Sequence, residues 1–139
     1  MSEIKSEKLE VKTSAETIFT TLSNFNHFKQ LMPDQVIDWK STEDTCSFTI
    51  QGLPAISMKI HEKIPQKKIV YIAQGNSPLN FELICLLNES AEKQTETQMI
   101  FKADLNPMLS MMVSKPLQNF VNILNQKLKD LFETQEPHA

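Results

Sequence analysis

The chain is expected to fold as an α+β protein. A curved antiparallel sheet of about seven strands wraps around one long C-terminal helix, with two short helices between the first and second strands. Three observations predict it. Between Asn106 and Phe132, apolar residues fall at Leu109, Val113, Leu117, Phe120, Leu124, Leu128 and Leu131, in steps of three and four that draw one face of an α-helix. From Asp34 to Leu105 the apolar period changes to two, the mark of half-buried antiparallel strands. Between the first strand and that region stand two short apolar clusters, each behind a capping residue.

Residues 3–12 form the first strand, with Leu9 and Val11 as its inward pair. Thr13-Ser-Ala-Glu16 has capping-box spacing and opens a short helix carrying Ile18, Phe19 and Leu22. Asn24 caps a second helix with Phe25, Phe28 and Leu31, which Pro33 ends. Gln35–Lys40 is the second strand and Ser41–Asp44 a polar turn. Cys46, Phe48 and Ile50 alternate with Thr45, Ser47, Thr49 and Gln51, and Gly52-Leu-Pro54 punctuates. Ile56, Met58 and Ile60 follow on the same face, then a turn at Pro65-Gln-Lys67. Lys68–Gln74 is so uniformly apolar that its facing stays open, and Gly75–Pro78 turns again. Phe81, Leu83, Cys85 and Leu87 point inward, and Glu89–Glu96 reads as a charged loop. Thr97, Met99, Phe101, Ala103 and Leu105 make the last strand.

Asn106 caps the long helix and Pro107 occupies its first turn. The helix spans roughly 40 Å, enough to cross a small domain. It is too polar to cross a membrane. Pro116 interrupts it, either as a kink or as the boundary of a preceding helical turn from Pro107 to Ser114. On one reading the Met108–Val113 segment is then a movable gate, on the other a static bend that follows the sheet. Residues 1–133 are read as a single domain and 134–139 as a frayed tail.

Composition narrows the function. The formal charge is −3 and all 14 basic residues are lysine, which argues against nucleic acid and removes the bidentate arginine clamp for phosphate. The N-terminus has no apolar signal region and no stable membrane anchor is expected, so a cytoplasmic location is the default. Cys46 and Cys85, each within a strand pattern, read as buried free thiols. His27, His61 and His138 lack metal-ligand spacing, so neither metal nor cofactor is expected. No serine stands in a nucleophile elbow, and no catalytic residue is assigned. Glu82 and Asp104 read as outer-face carboxylates that would matter only if a strand faced the other way. Lys59, Lys63, Lys67 and Lys68 read as a solvated hairpin that blunts a strand edge, with a contact for an acidic partner or lipid headgroup as the alternative. Val70, Ile72, Ile84 and Leu86 would form an outer apolar patch suited to a homodimer.

The order of elements resembles the helix-grip fold of the START-like superfamily, also called SRPBCC. Three stretches carry the resemblance: VKTSAETIFTTLSNFNHFKQLMP near the start, HEKIPQKKIVY in the middle and ADLNPMLSMM leading into the helix. Plant members of the superfamily carry a glycine-rich loop after the second strand. Here Ser41-Thr-Glu-Asp44 stands instead, so no nucleotide role is carried over. The resemblance implies a cavity between sheet and long helix that binds or transports a small hydrophobic ligand such as a lipid, quinone or polyketide-like molecule. The inward positions expected to line it are Phe48, Ile50, Met58, Ile60, Leu83, Met99, Phe101, Met112 and Phe120, with Met108 in the segment at its end. A methionine-rich wall suits varied apolar ligands. The same superfamily implies two alternatives, a polyketide cyclase/dehydrase-type enzyme and a co-chaperone-like interaction domain. The paucity of polar groups among the inward positions leans away from an enzyme.

Overall fold

A computed structural model describes residues 2–75 and 80–134. The elements run β1 (Ser2–Lys5), β2 (Leu9–Val11), α1 (Ala15–Leu22), a 3-10 helix (Phe25–Leu31), β3 (Val36–Ser41), β4 (Thr45–Ile50), β5 (Ala55–Ile64), β6 (Lys68–Ala73), β7 (Phe81–Ala91), β8 (Gln94–Ala103) and α2 (Pro107–Thr134). The sheet is antiparallel in the order β1-β8-β7-β6-β5-β4-β3, and β2 also pairs with β8. This is the expected α+β layout. Part of the turn at Gly75–Pro78, residues 135–139 of the tail and His138 lie outside the described residues.

Three boundaries differ from expectation. The first strand is two, because the chain breaks at Ser6, whose hydroxyl accepts from the Met99 amide at 2.9 Å. The cap of α1 is Ser14, which accepts from Thr17 N at 3.2 Å, so the box read from Thr13 to Glu16 starts one residue early. The expected loop at 89–96 is mostly strand. β7 and β8 run on to a tight hairpin, with Lys93 at φ 55° and the register shifting between Glu89 and Ala91. Charged residues read as loop there because both faces of a protruding hairpin are wet.

The facing of β6 is settled by its register. Ile69 and Tyr71 lie on the side of α2, packed with Leu83 and Cys85, while Val70 joins Ile84 and Ile100 on the far side. Register shifts in β3 and β5, the first with Asp38 at φ 56°, mark bulges that bend the sheet around α2.

Asn106 caps α2 as expected, accepting from Leu109 N at 2.8 Å. Helix runs through Pro116 without a break in assignment. The carbonyl that the proline leaves without its helical donor belongs to Met112, a residue 65% exposed. Val113, Leu117, Phe120, Val121, Leu124 and Leu128 are buried against the sheet. Each such side chain contributes roughly 1.5–3 kcal/mol of transfer free energy.

One polar residue sits on that buried stripe. Asn125 accepts from Thr97 Oγ1 at 2.7 Å and donates to the carbonyls of Glu7 at 3.0 Å and Thr97 at 3.1 Å. Its amide therefore joins α2 to the β1–β2 break and to β8. With its partners satisfied, the burial is not penalised, and it fixes the register of the helix on the sheet. Among the described residues no helix is long and apolar enough to cross a membrane.

Candidate functional site

The space between α2 and the sheet is closed at one end and open at the other. At the closed end, Phe25, Phe28 and Tyr71 pack ring against ring with centroids 5.1–5.4 Å apart. The Tyr71 hydroxyl donates to the Leu22 carbonyl at 2.6 Å. Burial pushes that phenol well above its ordinary pKa, so it stays a donor. From there a stack of rings leads toward the open end: Phe28 to Trp39, Trp39 to Phe48 at 5.5 Å, Phe48 to Phe120 at 5.8 Å.

Beyond Phe120 lies a cleft of about 270 Å³. Its walls are β3 and the chain leading into it, the end of β4, and the middle of α2. Pro33, Val36, Ile50, Pro116, Phe120 and Ile123 supply the apolar lining, and Gln35, Gln51, Lys115 and Asn119 the polar groups. The site exists because β3 is the last strand of the sheet. No further strand carries side chains across to α2, and the proline ring at Pro116 presents a flat, donor-free surface there. None of the residues on this lining is a carboxylate, histidine, cysteine or hydroxyl, so the wall offers apolar contact, amides and one ammonium group.

A wider trough of about 710 Å³ crosses β3, β4 and β5, lined by Lys40, Ser41, Thr42, Thr45, Cys46, Ser47 and Ser57 among others. Thr45 and Ser47 alternate with the inward Cys46 and Phe48, so the trough lies mainly on the sheet face turned away from α2. Hydroxyl-lined and open to solvent, it has little to hold an apolar molecule. The smaller cleft is the better candidate.

Of the positions expected to line a cavity, Ile50 and Phe120 line the cleft and Phe48 backs it. Met58, Leu83, Met99 and Phe101 are fully or almost fully buried in the core, and Ile60 is partly buried against it. There the packing is close, with Phe101 stacked on Phe81 at 4.9 Å and Cys85 Sγ within 3.0 Å of Met99 Sδ. Met108 and Met112 are exposed, and neither contributes to the cleft's lining. The alternation rule missed Pro33, Gln35, Val36, Gln51, Asn119 and Ile123. Their common signal is position, at the ends of elements beside Pro33 and Pro116, and only the topology brings those ends together.

The remaining chemistry is quiet. Cys46 and Cys85 are free and buried, as expected, and burial pushes each thiol up to about 12, so both remain protonated. His27 and His61 are exposed, and no group of three potential metal ligands occurs among the described residues. Glu82 lies on the outer face of β7 opposite Lys102 and Asp104 is exposed. In the lysine hairpin, Lys68 pairs with Glu62 at 3.5 Å.

No protein-family model and no curated protein matches this chain. Solved structures do. Over 99% of this chain and all of the other, it superposes on the protein XoxI from Bacillus cereus with a TM-score of 0.77 at 14% identity. A START superfamily protein from Mycobacterium smegmatis gives 0.75 at 16% identity, over 96% of this chain and 99% of that one. The Aha1 dimer from Colwellia psychrerythraea gives 0.64 at 21% identity, over 99% and 100%. With the sheet order, the long C-terminal helix and the two short helices between β2 and β3, these likenesses establish that the chain has the START-like fold.

Proposed function

We propose that this protein binds a small, mainly apolar molecule with one polar or anionic group in the cleft between β3, β4 and α2. The observation that carries the reading is the division of the lining. Apolar residues form the floor and walls, and Lys115, Gln35, Gln51 and Asn119 supply the polar groups. Pockets for small ligands share this pattern of apolar walls with a few orienting polar groups. Lys115 favours a carboxylate or another anion over a neutral head. A short acyl chain or a single substituted ring suits a cleft of about 270 Å³ better than a long lipid does. The lining pairs no acid with a base, which supports binding over cyclase-type chemistry.

Trp39 is the chain's one tryptophan and stacks on Phe48, which stacks on Phe120 of the cleft wall. Its fluorescence therefore reports on the site. Titration with decanoic acid is expected to give a saturable change, weaker affinity for decanol, and a clear loss of affinity in Phe120→Ala. A flat response to both compounds, with no displacement of an apolar dye, would end the reading.

A second reading has one observation in its favour. Val70, Ile84 and Ile100, with Ile72 and Leu86, form a separate apolar cluster on the sheet face away from α2. The Colwellia structure of the same fold is described as a dimer. Self-association through this face would appear as a concentration-dependent mass in light scattering.

A further inference from the structure

We propose that the methionine stripe at the start of α2 docks on an anionic lipid bilayer and sets the mouth of the cleft against it. The proposal rests on the binding reading above and adds the surface from which the ligand is exchanged. Met108, Met111 and Met112 are 75%, 86% and 65% exposed, the three most exposed large hydrophobic residues among those described. With Lys115 they follow the spacing i, i+3, i+4, i+7, which places all four on one helix face. Leu109 and Val113 on the other face pack against the core. Lys115 also lines the cleft, so the stripe leads directly to its mouth. Three adjacent exposed methionines make a contiguous apolar surface, unlike the scattered single residues that need no explanation.

Charge identifies the occupant. The chain as a whole carries −3, yet residues 105–129 contain Lys115, Lys127 and Lys129 and no aspartate or glutamate, the flanking carboxylates being the exposed Asp104 and Asp130. Residues 45–61, which include β4 and the turn beside the cleft, contain no carboxylate either. The carboxylates on the β3 side are Asp34 and Asp38, and Asp34 lies 3.9 Å from Lys127. Among the charged groups of α2, Lys115 is the one that continues the methionine spacing, so the face that carries the stripe presents a positive charge. An anionic headgroup layer complements that sign. Lys115 meets the headgroups while the unbranched, flexible methionine side chains enter the acyl boundary. With one lysine and three methionines the contact is weak and reversible, as exchange of a ligand requires.

The test is flotation of the full chain with vesicles of phosphatidylcholine alone and of phosphatidylcholine mixed with phosphatidylglycerol. The parent is expected to float with the anionic vesicles, less with the neutral ones, and less as salt is raised. The combined variant Met108→Gln, Met111→Gln, Met112→Gln should lower partitioning about tenfold or more. Its circular dichroism and its Trp39 titration with decanoic acid, done without vesicles, should match the parent. Met111→Gln alone should lower partitioning by a smaller factor, and serves should the combined variant not fold. A parent that stays unbound, or a combined variant that floats like the parent, would overturn the proposal. So would a parent dimer that the combined variant converts to a monomer, which would assign the stripe to a second copy. Vesicle binding with no decanoate response would remove the cleft reading instead, since the two measurements are separate.

Discussion

After Pro116, α2 is held on several sides. Leu124 and Leu128 are fully buried, Asn125 bonds to β8 and to the β1–β2 break, and Lys127 Nζ donates to the Met32 carbonyl at 2.8 Å. Before Pro116 the same helix has Val113 as its one fully enclosed side chain, while Met108, Met111 and Met112 face solvent. One continuous helix thus serves as core in its second half and as surface in its first, with the cleft at the junction. The lesson is that continuity of secondary structure says little about continuity of packing. Proline at the junction costs least where the freed carbonyl is wet.

Substitutions along α2 test this contrast. Leu124→Ala should have the largest effect, a loss of about 2–5 kcal/mol, because transfer free energy is lost and a void remains in a closed core. Asn125→Ala should follow at about 1–3 kcal/mol, since it leaves the buried Thr97 hydroxyl without its acceptor and removes the amide that ties α2 to the Glu7 carbonyl. Met112→Ala should lie within about 0.5 kcal/mol of the parent, as for other surface positions. Urea melts of the three variants measure all of this. Equal losses at Leu124 and Met112 would mean that both halves are packed alike. A neutral Asn125→Ala would show that hydrophobic contacts alone hold the helix in register.

Much of the frame was legible in the residues. The stripe from Leu109 to Leu131 gave the helix and its buried face, and alternation gave the inward sets on β4, β7 and β8. Pattern could not orient β6, because Ile69, Val70, Tyr71 and Ile72 are apolar on both faces. That run reflects two clusters, one under α2 and one on the outer face, and only pairing with Leu83 and Ile84 separates them. Alternation also cannot tell a core residue from a cavity wall. Met58, Leu83 and Met99 have the same pattern as Ile50, yet they are buried in the core while Ile50 borders the cleft.

By itself the sequence determined most local choices: the helices and the central runs of the strands, where Asn24 and Asn106 cap, and which face of α2 turns inward. Those follow from backbone propensity, side-chain period and nearby hydrogen bonds, all properties of neighbours along the chain. Tertiary structure decided the rest: that Asn125 is a satisfied core residue, that the methionines before Pro116 are bare, and that a cleft opens beside β3. These depend on where the sheet ends relative to the helix. That distance is set by the curvature and order of all eight strands together, and no local stretch of residues encodes it.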